Sequence, residues 1–128
     1  AVVRNQVYDT FCMVRDQYRV GFIVITHDLL LARKFCERIV VMYCGRVLET
    51  NAARELFEHP RHPYTQGLIA SLPHLGMKPM AGFSPAFTDQ PSGCVFHPRC
   101  PYAEARCRHT EPKSIPCGEG SVCCHRYA

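Results

Sequence analysis

Nine cysteines occur in 128 residues, and six of them fall after residue 93: Cys94, Cys100, Cys107, Cys117, Cys123 and Cys124. So dense a group of thiols has three chemical readings. Disulfides suit a secreted protein. A zinc site wants four Cys or His ligands, usually with a C-x₂₋₄-C knuckle. An iron–sulfur cluster needs four thiolates and tolerates varied spacing. Five residues separate Cys94 from Cys100 and six separate Cys100 from Cys107. No knuckle is obvious, and spacing alone leaves all three readings open. Cys12, Cys36 and Cys44 differ, because they sit in apolar, periodic surroundings and read as small core residues rather than ligands.

A second candidate is His27, in Ile25-Thr26-His27-Asp28 directly after the apolar run Phe22 to Ile25. A histidine that follows a buried strand emerges at the strand's C-terminal edge, where open α/β sheets bind ligands. A neutral imidazole there can hydrogen-bond a terminal phosphate or an attacking water, and positioning supplies most of the catalysis in phosphoryl transfer. From residue types alone, a capping or core histidine is the simpler account. His59 and His62 flank prolines ahead of Tyr64. They read as a rigid turn in which Pro fixes φ and aromatic rings pack over it, with no catalytic role.

The elements that must position these residues follow from periodicity. Val3, Val7, Phe11, Val14 and Tyr18 form the stripe of an amphipathic helix that Gly21 ends. Phe22 to Ile25 has the continuous apolar character of a strand buried on both faces. Leu29 to Glu37 reads as a second helix, with Asp28 as its N-cap. Arg38 to Cys44 and Arg46 to Glu49 read as a strand pair joined by a tight turn at Cys44-Gly45. Asn51 is expected to cap a short helix through Phe57. Pro60 and Pro63 break the chain, and Tyr64 to Leu72 forms one more helical piece, ended by Pro73. This order belongs to a layered α/β domain. It has too few strands to cover a central sheet, so it reads as the edge of a sheet whose remainder lies upstream. Leu75 to Ser92, punctuated by Pro79, Gly82, Pro85 and Pro91, is read as a linker or irregular arm. The tail from Gly93 to Ala128 is read as an irregular cysteine-rich extension, too short for its own hydrophobic core and expected to need a staple.

Composition narrows the function classes. The net charge of +4 comes from scattered basic residues with no Lys or Arg run, which argues against nucleic-acid binding. No apolar run approaches the ~18–20 residues that span a bilayer. The chain opens Ala1-Val2-Val3-Arg4 without methionine, so it is read as a trimmed or incomplete protein.

Four elements, in order, resemble one family. Ile25-Thr26-His27-Asp28 is similar to the switch-histidine motif of ABC-type ATPases, and Val41 to Glu49 resembles the hairpin that follows it. His59-Pro60-Arg61-His62-Pro63-Tyr64-Thr65 is similar to the His-Pro-Tyr segment of oligopeptide, dipeptide and nickel importer ATPases. Gly93 to Pro101, Cys107 and the closing Cys124-His125 resemble the cysteine element of the same extension. The resemblance covers nearly the whole chain. It implies an α/β fold: residues 1–58 as the truncated end of a P-loop ABC ATPase domain, 59–92 as the transporter-type extension and linker, and 93–128 as the cysteine-rich module.

The resemblance implies that His27 senses the γ-phosphate of ATP while an upstream glutamate handles the attacking water. It implies a [4Fe–4S] cluster on Cys94, Cys100, Cys107 and Cys124. Cys117 and Cys123 depart from the family's pattern, and Cys123 is the nearer rival to Cys124. ATP and Mg²⁺ would be held mainly by a phosphate loop, a signature sequence and an Asp-Glu pair that this sequence lacks. Alone, the chain is expected to be inactive as an ATPase. The implied partners are a second ATPase subunit, two membrane permease subunits and an extracytoplasmic peptide-binding protein, with the assembly at the cytoplasmic face of the inner membrane. A stand-alone iron–sulfur or zinc module is the alternative. It would explain the tail but not Thr26-His27-Asp28 or the hairpin.

Overall fold

The computed structural model describes residues 2–128, with side chains from Gln6 onward. It divides into two compact units, the first ending at Glu37 and the second running Arg38–Ala128.

In the first unit, helix α1 spans Val2–Tyr18 and helix α2 spans Leu29–Phe35. Val3 of the expected stripe lies outside the described side chains. Val7, Phe11 and Tyr18 of that stripe remain substantially exposed. The unit is held instead by a small aromatic group: Tyr8 stacks on Phe35 with ring centroids 4.8 Å apart, and Phe11 meets Phe22 at 5.5 Å. The helix ends at Tyr18, three residues before Gly21, and Arg19 takes a left-handed φ of 52°. That conformation more often falls to glycine at a helix C-terminus.

Phe22 to Ile25 does not form the expected strand. The segment is without regular structure, and Ile23 and Ile25 are 96% and 98% exposed. A strand exists only through the ladder it shares with a neighbour, and no strand among the described residues pairs with this one. Helix α2 starts as expected, with Asp28 Oδ1 accepting the Leu31 N–H at 3.0 Å.

The second unit is built on strands β1 (Arg38–Tyr43) and β2 (Arg46–Ala52), an antiparallel hairpin. Its turn puts Cys44 at φ 48° and Gly45 at φ 76°, the double positive φ whose twist suits a two-residue hairpin loop. Strand β1 alternates, with Ile39, Val41 and Tyr43 inward and Arg38, Val40 and Met42 outward. Strand β2 runs three residues longer than expected. Asn51 is therefore a fully buried strand residue and not the N-cap of helix α3 (Ala53–Glu58), whose cap position falls on Ala52. Helix α4 follows at Pro63–Ala70.

The cysteine-rich tail is less irregular than expected. It carries helix α5 (Ala105–His109) and strands β3 (Ile115–Cys117) and β4 (Gly120–Val122). These strands complete a four-stranded antiparallel sheet in the order β1-β2-β4-β3. β4 can approach β2 because residue 120 is glycine: a Cβ there would run into the Thr50 carbonyl oxygen. The tail also supplies much of the core, where Val95 and Phe96 pack with Tyr43 and Leu48. Phe96 is 1% exposed and meets the rings of Tyr43, Tyr64 and His62. Burial of such a side chain contributes about 2–3 kcal/mol.

Candidate metal centre

Four chain segments deliver Cys94, Cys100, Cys107 and Cys124 to one cavity. Cys94 follows Gly93, whose φ of 70° would strain any other residue and whose missing Cβ leaves room for the Cys107 carbonyl. The Cys94 N–H then donates to that carbonyl at 2.8 Å, which sets the first and third cysteines side by side. A 3₁₀ turn at His97–Arg99 brings round Cys100, whose N–H donates to the His97 carbonyl at 3.2 Å. Cys124 arrives from β4, because the Cys123 N–H donates to the Leu48 carbonyl of β2 at 2.8 Å.

The cavity between them holds about 20 Å³, close to one water, and His62 and Phe96 share its wall. Cys94 and Cys124 are buried, and Cys100 and Cys107 are half-buried. Burial pushes the Cys94, Cys100 and Cys124 thiols above their ordinary pKa, and neighbouring thiols of the same four push further in the same direction. Backbone amides oppose this shift. The N–H of Phe96 donates to the Cys94 sulfur, that of Tyr102 to the Cys100 sulfur and that of Arg126 to the Cys124 sulfur. Arg126 and Arg106 also favour the anionic form of Cys124 by their charge.

Thiols that repel one another when ionised, three of which receive a backbone hydrogen bond, form a donor set for a cationic centre. Metal ligation requires the thiolate and releases the proton. Among the described residues, no three His, Cys, Asp or Glu groups converge tightly enough to hold a single metal ion. The four cysteines nevertheless line one cavity. Cys117 does not line this cavity. Cys123 lines a separate groove beside Arg46 and Glu111.

The turn before α4 does more than the sequence reading assigned to it. Pro63 is the first residue of α4, and the His62 Nδ1 accepts the Tyr64 N–H at 3.0 Å as the helix cap. Glu49, fully buried on β2, accepts the N–H of Arg61 and the N–H of His62, both at 2.9 Å. Its carboxylate thereby ties the His-Pro turn to the hairpin. His62 is 1% exposed, and burial holds its pKa down at about 4, a fall that the nearby Cys123 carbonyl only partly offsets. The pairing of a glutamate in a strand with a histidine before proline carries no periodic signature. Only the His-Pro-Tyr string marked the segment.

His27 lies in the first unit, exposed on the turn into α2. The Asp28 N–H donates to Thr26 Oγ1 at 3.0 Å, which folds the three residues into a compact turn with the imidazole outward.

Residues 48–107 match the family described as oligopeptide/dipeptide transporter, C-terminal region. The chain is similar to dipeptide transport ATP-binding proteins. It is 38% identical over 128 residues to DppD of Haemophilus influenzae, an alignment covering 96% of this chain and 39% of that protein. The DppD proteins of Escherichia coli and Caldanaerobacter subterraneus are each 38% identical, over 115 and 120 residues. Those two alignments cover 86% and 89% of this chain, and 35% and 37% of the relatives. The chain thus spans less than two fifths of the length of these curated relatives. The family match takes in β2, the His-Pro turn, α4 and the first three cysteines of the cavity. No described helix is long and apolar enough to cross a membrane.

Proposed function

We propose that this chain is the C-terminal part of an ATP-binding subunit that drives peptide import, and that Cys94, Cys100, Cys107 and Cys124 hold a [4Fe–4S] cluster within it. The observation that carries the second part is the gathering of four thiols around one void, three of them with an amide N–H on the sulfur. Four cysteines would equally suit a zinc ion, and it is the resemblance of the cysteine element that favours the cluster. The void is about 20 Å³, so the four segments must part to admit a four-iron cluster. When bound, the cluster would supply thiolate–iron bonds that cross-link four segments of a tail with little core of its own. The chain's own residues do the rest. Gly93 admits the Cys107 carbonyl, β2 draws in Cys124, and Phe96 excludes water from one wall.

The assignment to a transport ATPase rests on similarity to the dipeptide transport proteins. On this reading His27 meets the γ-phosphate of ATP at an interface between two ATP-binding subunits, and its outward imidazole suits that role. ATP and Mg²⁺ are gripped mainly by parts of the parent subunit beyond the matched region. The partners are a second such subunit, two permease subunits and an extracytoplasmic peptide-binding protein, and the subunit sits at the cytoplasmic face of the membrane. Peptides are the cargo the relatives' names support, with nickel the neighbouring possibility within the resemblance.

Two experiments test these parts separately. In the full-length subunit, His27→Ala should abolish most ATP turnover while nucleotide binding survives, and normal turnover would remove the phosphate role. Anaerobic reconstitution should load about four irons and four sulfides per chain. About one zinc and no sulfide would reject the cluster.

A further inference from the structure

Three histidines line the thiol cavity: His62, His97 and His125. Two of them commit a ring N–H to a backbone carbonyl, which can only accept. His97 Nδ1 donates to the Cys94 carbonyl at 2.9 Å, and His125 Nε2 donates to the Thr110 carbonyl at 2.8 Å. His62 is different. Its Nδ1 accepts the Tyr64 N–H, so that nitrogen carries no proton. A neutral imidazole must then carry its proton on Nε2. This N–H is buried and has no partner at full hydrogen-bond geometry. The Cys123 carbonyl is the one backbone acceptor that acts on the ring, and only weakly against the effect of burial.

Buried donors are rarely left unpaired, and one that is calls for an explanation. The ring cannot turn to find a partner, since Nδ1 caps α4 and Phe96 packs against the ring at 5.7 Å between centroids. The imidazole is fixed further back by Glu49, which holds the His62 N–H at 2.9 Å. The tautomer and the anchoring thus leave one unpaired N–H donor on a residue that lines the cysteine cavity.

We propose that His62 is a positioning residue for the metal centre, donating its Nε2–H to a sulfur of the group held by Cys94, Cys100, Cys107 and Cys124. This rests on the cluster reading above. Reduction adds negative charge to a cluster, and hydrogen bonds to its sulfurs favour the reduced form. In an apolar surround such as that of Phe96 and Tyr64, a hydrogen bond is stronger than in water. His62 therefore raises the reduction potential of the loaded centre.

The test uses the protein carrying this chain, reconstituted anaerobically with iron and sulfide. Parent, His62→Leu and His62→Gln forms are compared by iron and sulfide content and by redox titration followed by electron paramagnetic resonance. Potentials are compared on the loaded fraction of each form, as fixed by its iron and sulfide content. His62→Leu should disfavour reduction about tenfold, a shift of 59 mV to more negative potential for one electron. His62→Gln, which keeps an N–H donor, should recover most of it. Labelling the histidines of the unmodified protein with nitrogen-15 should reveal a weak coupling to the reduced cluster, a readout independent of any variant. An unshifted potential in His62→Leu, equal shifts in the Leu and Gln forms, or no nitrogen coupling would overturn the donor role and leave the cluster standing. A parent protein that takes up no iron and sulfide would overturn the cluster reading, and this inference with it.

Discussion

Removing the Glu49 carboxylate should detach the His-Pro turn from the sheet. In the native chain its two oxygens accept the Arg61 and His62 amides, each at 2.9 Å, in a fully buried position. Glu49→Ala strands both amides away from water. A buried donor without a partner costs about 1–3 kcal/mol, so the two together cost about 2–6 kcal/mol. The lower part of that range is expected, because deleting a buried carboxylate also removes its desolvation penalty. Glu49→Gln keeps one accepting oxygen but turns an NH₂ toward the second amide, and should cost about 1–3 kcal/mol. Glu58→Ala is the control, since it breaks an exposed pair with Arg54 at 2.9 Å and should cost under about 0.5 kcal/mol. Urea unfolding measures the global effect, and amide exchange at Arg61 and His62 measures the local one. If Glu49→Ala stays within about 0.5 kcal/mol of the parent, with exchange at both amides unchanged, the carboxylate does not anchor the turn.

Two further perturbations test the same region. The metal-free chain should lose stability in acid through His62, whose proton affinity falls from 6.5 to about 4 on folding. Between those values the unfolded chain binds more protons, so stability drops as pH falls, by about 3 kcal/mol across the window, while above it His62 contributes nothing. His62→Gln should flatten this part of the profile, and parallel curves for parent and variant would refute it. Gly93→Ala should be worse than Gly118→Ala. Both glycines have positive φ, at 70° and 60°, but only at Gly93 would the new Cβ strike backbone, that of Cys107 and Arg108. Gly118→Ala should cost about 1–2 kcal/mol of strain. Gly93→Ala should exceed that and impair iron uptake, and equal unfolding midpoints would contradict the close approach.

The parts legible in the sequence are those governed by short-range rules. The β1–β2 hairpin was readable because Cys44-Gly45 separates two β-branched runs, and α2 because Asp28 precedes its apolar residues. Phe22 to Ile25 misled because an apolar run reports what a strand would bury, not whether a partner strand is present. Asn51 misled because a good N-cap residue type is also tolerated in a strand when tertiary packing demands it. The strands β3 and β4 were hidden by brevity. Three residues each, with Pro116 in one and Gly120 in the other, give no alternation to detect. The four cysteines could be nominated only by resemblance, since their sequence spacing matches no knuckle. Their shared cavity depends on contacts such as Cys94 to Cys107 and Cys123 to Leu48.

These contacts bear on how the site is assembled. Three of its four cysteines lie within one stretch, 94 to 107, but Cys124 reaches the cavity only because β4 pairs with β2. β2 in turn carries Glu49, opposite Val122 in that pairing. The same strand therefore registers the last thiol from one side and, through the Arg61 and His62 amides, fixes the histidine wall from the other. A slip of β4 by one residue would turn Val122, now fully buried, out of the core and move Cys124 off the cavity. Sheet register and site geometry are thus a single constraint, and a group bound by the four thiols would stabilise the β2–β4 pairing as much as the pairing prepares the site.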